Sequence, residues 1–283
     1  MDSTSTSTAT LAFSVALANV RRLTSSAQSH QSKPAQLLKA IETTISATLG
    51  SSALPHTPTA YFASLLQCLE KACADEVGDA DDEAMAESEN MGAGALIPAT
   101  LYLLAIVVPE TPTQVLLTKF SPLFECILPL FNTALAHPPA LRSILQITTS
   151  VLLVAPPALL NSSLLLKKAW SYLLEINLDT RPKVRHLAQE GVRKVLCTPI
   201  PPRITPGLHP YLPKARDWVT SVLQEEVRDG GQSSKGKKAR FEDAEDAEGK
   251  RAIWVVQGLR GWVAVWGDEV CLSTCRREWT PDL

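Results

Sequence analysis

Apolar residues recur at three- and four-residue spacings along most of this chain, the period of helices with one face turned inward. That pattern predicts helices over Leu11–Leu23, Pro34–Leu49, Thr59–Ala74, Ile97–Val108, Thr113–Thr118, Pro122–Ala136, Leu141–Leu153, Ser163–Leu178, Lys183–Leu196, Pro213–Val227 and Ala252–Val270. Breakers divide them: PHTP, VPETP, HPPA, APPA, DTRP and TPIPPRITPG. Ser121 is placed to cap a helix whose first turn holds Pro122, and Pro129, inside the same pattern, predicts a kink or break. No stretch combines period-two alternation with turn glycines, so no sheet is predicted. Helix after helix with short proline-rich joints is the rhythm of stacked helical pairs, each burying its apolar face against its neighbours.

The clearest segment is DTRPKVRHLAQEGVRKVL, Asp179 to Leu196. At 100° per residue, Val184, Leu187, Ala188, Gly191, Val192, Val195 and Leu196 fill one arc, and Lys183, Arg185, His186, Gln189, Glu190, Arg193 and Lys194 fill the other. Asp179 or Thr180 is expected to cap this helix, with Pro182 in its first turn. Two roles compete for the polar arc. In one, Lys183, Arg185, Arg193 and Lys194 contact phosphates. In the other the face is solvated, with Asp179 and Arg185 bonding within or between helical pairs. Glu190 dilutes the basic patch and no aromatic is interleaved to stack bases, which favours the second.

Two segments break the pattern. DEVGDADDEAMAESEN is acidic and poor in large apolar groups, so residues 75–92 are expected to be a flexible loop. Arg228–Arg251 has a basic half and then an acidic half, and is expected to be a charged flexible linker. Within it Lys237, Lys238 and Arg240 match a K-K-x-R nuclear-import pattern, to be weighed against a plain solvated charge run. The expected organisation is a disordered tail over residues 1–10, a helical-repeat region over 11–227, the linker over 228–251, and the start of a further repeat over 252–283.

Two uncharged stretches, Asn90–Pro109 and Ser143–Leu166, approach the length of a membrane span. Pro98 lies near the middle of the first. Pro156-Pro157 breaks the second, which is studded with polar side chains, so both read as buried helices. Asp2 stands where a secretory signal would be positive, and the Ser/Thr-rich N-terminus is read as a polar tail leading into a first amphipathic helix rather than a transit peptide.

Composition adds limits. The 283 residues are 45% hydrophobic but only 6% aromatic, a mix that favours helices. A formal net charge of −2 gives no overall argument for a nucleic-acid binder. The six cysteines form no CxxC pair and the histidines lie away from them, so reduced thiols are expected and no metal or other cofactor. The sequence holds no GxSxG, P-loop, GxGxxG or HExxH, and GDADDE has neither the length nor the spacing of a calcium loop. No enzyme and no small-molecule substrate are expected.

DTRPKVRHLAQEGVRKVL followed by PPRITPGLHP resembles the ribosomal RNA-processing protein 12 family. Further blocks follow in order: LLKAIETTI, TPTAYFASLLQCLE, IPATLYLLAIVVP, KFSPLFECILPLF and AWSYLLEINLDTRPKVR, with Pro58-Thr59-Ala60-Tyr61-Phe62 the most specific. The resemblance covers about residues 35–227 and loosely 250–265. It implies an all-α HEAT/armadillo-like solenoid, a non-enzymatic nuclear and nucleolar scaffold that shuttles with pre-ribosomal particles, needed for pre-rRNA maturation and export. Pre-rRNA and nuclear transport factors are the implied partners, and no membrane. The runner-up is a general helical-repeat adaptor of nuclear transport or signalling that binds proteins and not RNA. The HEAT assignment implies inter-repeat hydrogen bonds for Asp179 and Arg185, leaving Lys183, Arg193 and Lys194 as RNA-facing candidates. Members of the family are several times longer, so the chain is expected to be an N-terminal part, with Trp254, Trp262 and Trp266 on a helix short of its packing partner.

Overall fold

The computed structural model describes residues 3–22, 29–49, 57–78, 93–198, 209–232 and 250–259, and every regular element among them is helical. They divide into two compact units, Met1–Val151 and Leu152–Leu283.

The first unit holds α1 (Ser3–Arg22), α2 (Ser29–Leu49), α3 (Pro58–Gly78), α4 (Ala93–Val107), α5 (Thr113–Ala134) and most of α6 (Pro138–Val154). Its centre is α4, whose Ile97, Ala99, Leu101, Leu103, Leu104, Ala105 and Val107 are buried on several sides. A helix apolar nearly all round must be covered nearly all round, and α4 packs on α3, α2 and α1. Three polar side chains tie the outer helices together. Glu42 on α2 accepts hydrogen bonds from Arg21 Nη2 on α1 at 2.6 Å and from the Tyr61 hydroxyl on α3 at 2.9 Å. The Tyr61 ring is fully buried and meets Phe13 of α1 edge-on at 5.7 Å. One tyrosine thus gives the core its area and satisfies a carboxylate at the rim.

The second unit holds the end of α6, α7 (Pro157–Ser162), α8 (Leu164–Glu175), a 3-10 turn (Ile176–Leu178), α9 (Pro182–Cys197), α10 (Leu212–Gln232) and α11 (Lys250–Leu259). Trp170 of α8 is fully buried against His209 and Tyr211, with ring centroids 6.3 and 5.4 Å away. The Tyr211 hydroxyl donates to the Leu160 carbonyl at 2.9 Å, and His209 Nδ1 accepts from the Tyr211 N–H at 3.1 Å. His209 and Tyr211 therefore join the start of α10 to α7 and α8.

Several expectations meet corrections. α5 runs unbroken through Pro122 and Pro129, so Ser121 caps nothing; its hydroxyl lies 3.1 Å from Glu125 Oε1. Pro129 removes the hydrogen bond that the Glu125 carbonyl would otherwise accept, and both residues are exposed. α7 was not predicted, and it gives the APPA stretch a short helix after Pro156. α1 begins at Ser3, inside the expected tail; α3 continues to Gly78, inside the expected acidic loop; α10 continues to Gln232, inside the expected linker. Residues 79–92 and 233–249, with Lys237, Lys238 and Arg240, lie outside the described residues, as do residues 260–283 with Trp262 and Trp266. Asn90–Pro109 supplies the buried α4, and Ser143–Leu166 is divided among α6, α7 and α8. Among the described residues α5 alone has the length and composition to cross a membrane, and its Leu123, Phe124, Ile127, Leu130 and Phe131 are buried in the protein.

Candidate functional site

The site grows from α9 and the turn before it. The partition of α9 holds for its apolar arc: Val184, Ala188, Gly191, Val192, Val195 and Leu196 are buried. Two residues of the polar arc are buried as well. Arg185 is 8% exposed and Gln189 equally so. What covers them is α11. The Arg185 guanidinium lies over the Trp254 ring, 4.3 Å from its centroid, and Gln189 Nε2 donates to the Trp254 carbonyl at 3.0 Å. Gly258, one turn further along α11, comes so close that an added Cβ would sit 3.4 Å from Gln189 Cγ.

The turn is held by charge. Asp179 takes Arg181 in a two-pronged pair, with Nε at 2.8 Å and Nη2 at 2.5 Å, and also accepts the Arg181 N–H at 2.8 Å. Burial pushes the Asp179 carboxyl up, but the hydrogen bonds and charge of Arg181 outweigh it, so the group lies below its ordinary range. Arg185 Nη1 donates to the backbone carbonyls of Asp179 and Thr180, at 2.9 and 3.4 Å. Its Nε, buried, finds no acceptor among the described residues. Asp179 and Arg185 therefore bond within their own turn, not carboxylate to guanidinium, and Arg185 reaches α11 through an aromatic face. Neither Asp179 nor Thr180 caps α9; Arg181 holds that position without a side-chain bond.

The RNA-facing candidates lie on the opposite side of α9. Lys183 and Lys194 are exposed and Arg193 half so. Glu190 lies among them. Arg193 donates to it from Nε at 2.7 Å and Nη2 at 2.6 Å, and Lys194 Nζ stands 3.8 Å from Glu190 Oε1. The Arg193 hydrogen bond is the main reason the Glu190 carboxyl is lowered, so it stays ionised and partly neutralises both cations. Among the described residues Lys183 has no ion-pair partner. The face is thus one open cation beside a compensated cluster, and exposed pairs of this kind are held weakly enough to be exchanged for a phosphate.

Among the described residues no three His, Cys, Asp or Glu side chains converge as a metal cluster. Two shallow depressions are each lined by a single helix: Val219, Thr220, Leu223, Gln224, Val227 and Arg228 on α10, and Gln36, Lys39, Ala40, Thr43, Thr44 and Ala47 on α2. Sequence reasoning missed the Trp254–Arg185–Gln189 contact. Its one signal was a tryptophan in the first turns of the helix after a long linker.

Among the described residues, paired helices without strands, tied by buried aromatic and charged side chains, define a helical-repeat fold. Residues 13–260 match the family described as RRP12-like, N-terminal HEAT repeats. The chain belongs to that family, and its fold class is the all-α HEAT-repeat solenoid. It is also similar to Ribosomal RNA-processing protein 12 of Saccharomyces cerevisiae, 27% identical over 187 residues, which is 65% of this chain and 14% of that protein. The chain therefore aligns with a small part of that relative's length. No solved structure matches.

Proposed function

We propose that the chain is a non-enzymatic HEAT-repeat scaffold of ribosome biogenesis, serving pre-rRNA maturation and the nuclear export of pre-ribosomal particles. The family match across residues 13–260 carries this reading. A relative named for ribosomal RNA processing supports it. The proposed setting is the nucleus and nucleolus, with shuttling to the cytoplasm, and the proposed partners are pre-rRNA, pre-ribosomal particles and nuclear transport factors.

Within this reading Lys183, Arg193 and Lys194 meet RNA phosphates as one face of α9, with Glu190 exchanged out of its pairs on contact. The core of α9 and the α9–α11 contact set that face rather than bind. The test is depletion of the protein in cells that make it, with complementation by the wild-type chain in its natural length. Pre-rRNA precursors should accumulate on depletion and fall on rescue. Unchanged precursor levels would remove the reading.

A second reading, a helical-repeat adaptor that binds proteins but not RNA, draws support from Glu190, because a carboxylate within two cation pairs suits a protein partner's mixed charges. Salt-dependent RNA binding separates the two. Lys183→Glu should lower both the affinity for a structured pre-rRNA fragment and the slope against salt, by about one phosphate contact; no change assigns the face to proteins.

A further inference from the structure

Six Ser-Pro or Thr-Pro steps lie in the chain, at Thr57, Thr111, Ser121, Thr198, Thr205 and Thr280. The first four fall among the described residues, and their surroundings differ. Thr111 is buried, and its hydroxyl donates to the Val107 carbonyl at 2.9 Å. Ser121 stands inside α5 with its hydroxyl on Glu125. Thr57 is half-buried, and its Oγ1 accepts the Ala60 N–H at 3.4 Å at the start of α3. Thr198 alone of the four is exposed, and its hydroxyl has no hydrogen-bond partner among the described residues. Thr198 also ends α9: its φ of −83° continues the helix, but its ψ of 132° is extended. Pro199 is the cause, because the residue before a proline is pushed out of the helical region. We propose that Thr198 is a phosphorylation site for a proline-directed kinase, and that Lys194 leaves Glu190 to take up its phosphate.

A kinase takes its substrate as extended, solvated backbone, which a hydroxyl within a helix or a core does not offer. The Thr198 oxygen attacks the γ-phosphorus of ATP, and the bond from that phosphorus to the β–γ bridging oxygen breaks. ADP leaves with the electron pair, and the hydroxyl proton passes to a base of the kinase.

The product carries about two negative charges at the carbonyl end of α9, where the helix dipole is already negative. Only a cation of the last turn offsets them. The Thr198 N–H bonds the Lys194 carbonyl at 3.0 Å, so the two side chains stand one turn apart on neighbouring positions of the helix. Arg193 is held to Glu190 by two bonds, at 2.7 and 2.6 Å, whereas Lys194 Nζ is 3.8 Å from that carboxylate. Lys194 is therefore the cation freer to turn towards the phosphate. One consequence rests on the RNA reading of α9: with Lys194 engaged, that face has one cation fewer for RNA.

The test incubates the full chain, carrying Thr205→Ala and Thr280→Ala, with ATP, magnesium and either a mitogen-activated or a cyclin-dependent kinase. Mass spectrometry maps the phosphate, which should lie on Thr198 and be lost in Thr198→Ala. Phosphorus NMR then titrates the product. The second ionisation of the phosphate should lie below that of free phosphothreonine and move back up in Lys194→Gln. No phosphate on Thr198 with either kinase, labelling of Thr57, Thr111 or Ser121 in its place, or a titration unmoved by Lys194→Gln would overturn the proposal. Filter binding across a salt series reads the consequence, a salt slope smaller by about one phosphate contact in the phosphorylated chain. If the unmodified chain binds no RNA, the RNA reading of α9 fails, and the mapping and titration decide the site alone.

Discussion

His209 makes the second unit sensitive to acid. The ring is 3% exposed, and its Nδ1 accepts the Tyr211 N–H, a bond that needs the neutral imidazole. Burial lowers its pKa from 6.5 to about 4. The folded form therefore resists a proton that the unfolded chain takes up. Above the unfolded value both forms are neutral and the contribution is complete; it is lost as pH falls from 6.5 towards 4, by roughly 3 kcal/mol at most. Urea unfolding at pH 7.5, 6 and 5 should show that decline. His209→Asn, which keeps an acceptor for the Tyr211 N–H and does not titrate, should flatten it. Tyr61 invites a simpler substitution. Tyr61→Phe keeps the buried ring and removes the bond to Glu42, so urea unfolding should show a loss of about 1 kcal/mol, and an unchanged midpoint would mean that Arg21 alone satisfies Glu42.

At the scale of elements, the contact of α9 with α11 decides how much of α9 is open. Gly258 faces Gln189, so Gly258→Ala fits in ordinary contact while Gly258→Val pushes the helices apart. Thermal unfolding should show little change for the first and a lower midpoint for the second; equal midpoints would mean that α11 does not rest on α9. The opposite face gives a converse prediction. Glu190→Gln releases Arg193 and Lys194, so RNA affinity at low salt should rise and the salt slope steepen by about one per freed cation. Filter binding across a salt series measures it.

These helices also show what the sequence reveals and what it hides. Val184, Ala188, Val192 and Val195 repeat with the helical period, and that period alone places them inside. Arg185 and Gln189 do not announce their burial, because it depends on Trp254, a partner 65 residues beyond Gln189. α7 has six residues, opening at Pro157, too few for a period to register. Pro129 does not end α5, because a proline rule says which bond is lost and not whether the residues around it, here Glu125 and Pro129, are exposed. The candidate cations were legible as a face, but Glu190's hold on two of them required side-chain geometry.

At the scale of the whole molecule, the chain holds two helical units, the first tied by Tyr61 to Glu42 and the second by Tyr211 to the Leu160 carbonyl. The family match spans both units, and the yeast relative extends far beyond the aligned part. The central claim, service as a scaffold for ribosome assembly, is tested most directly by sedimenting extracts of cells that carry a tagged version in its natural length. The account predicts that the tag runs with large particles containing pre-rRNA and moves to lighter fractions after ribonuclease. A tag that stays at the top of the gradient, with or without ribonuclease, would contradict it.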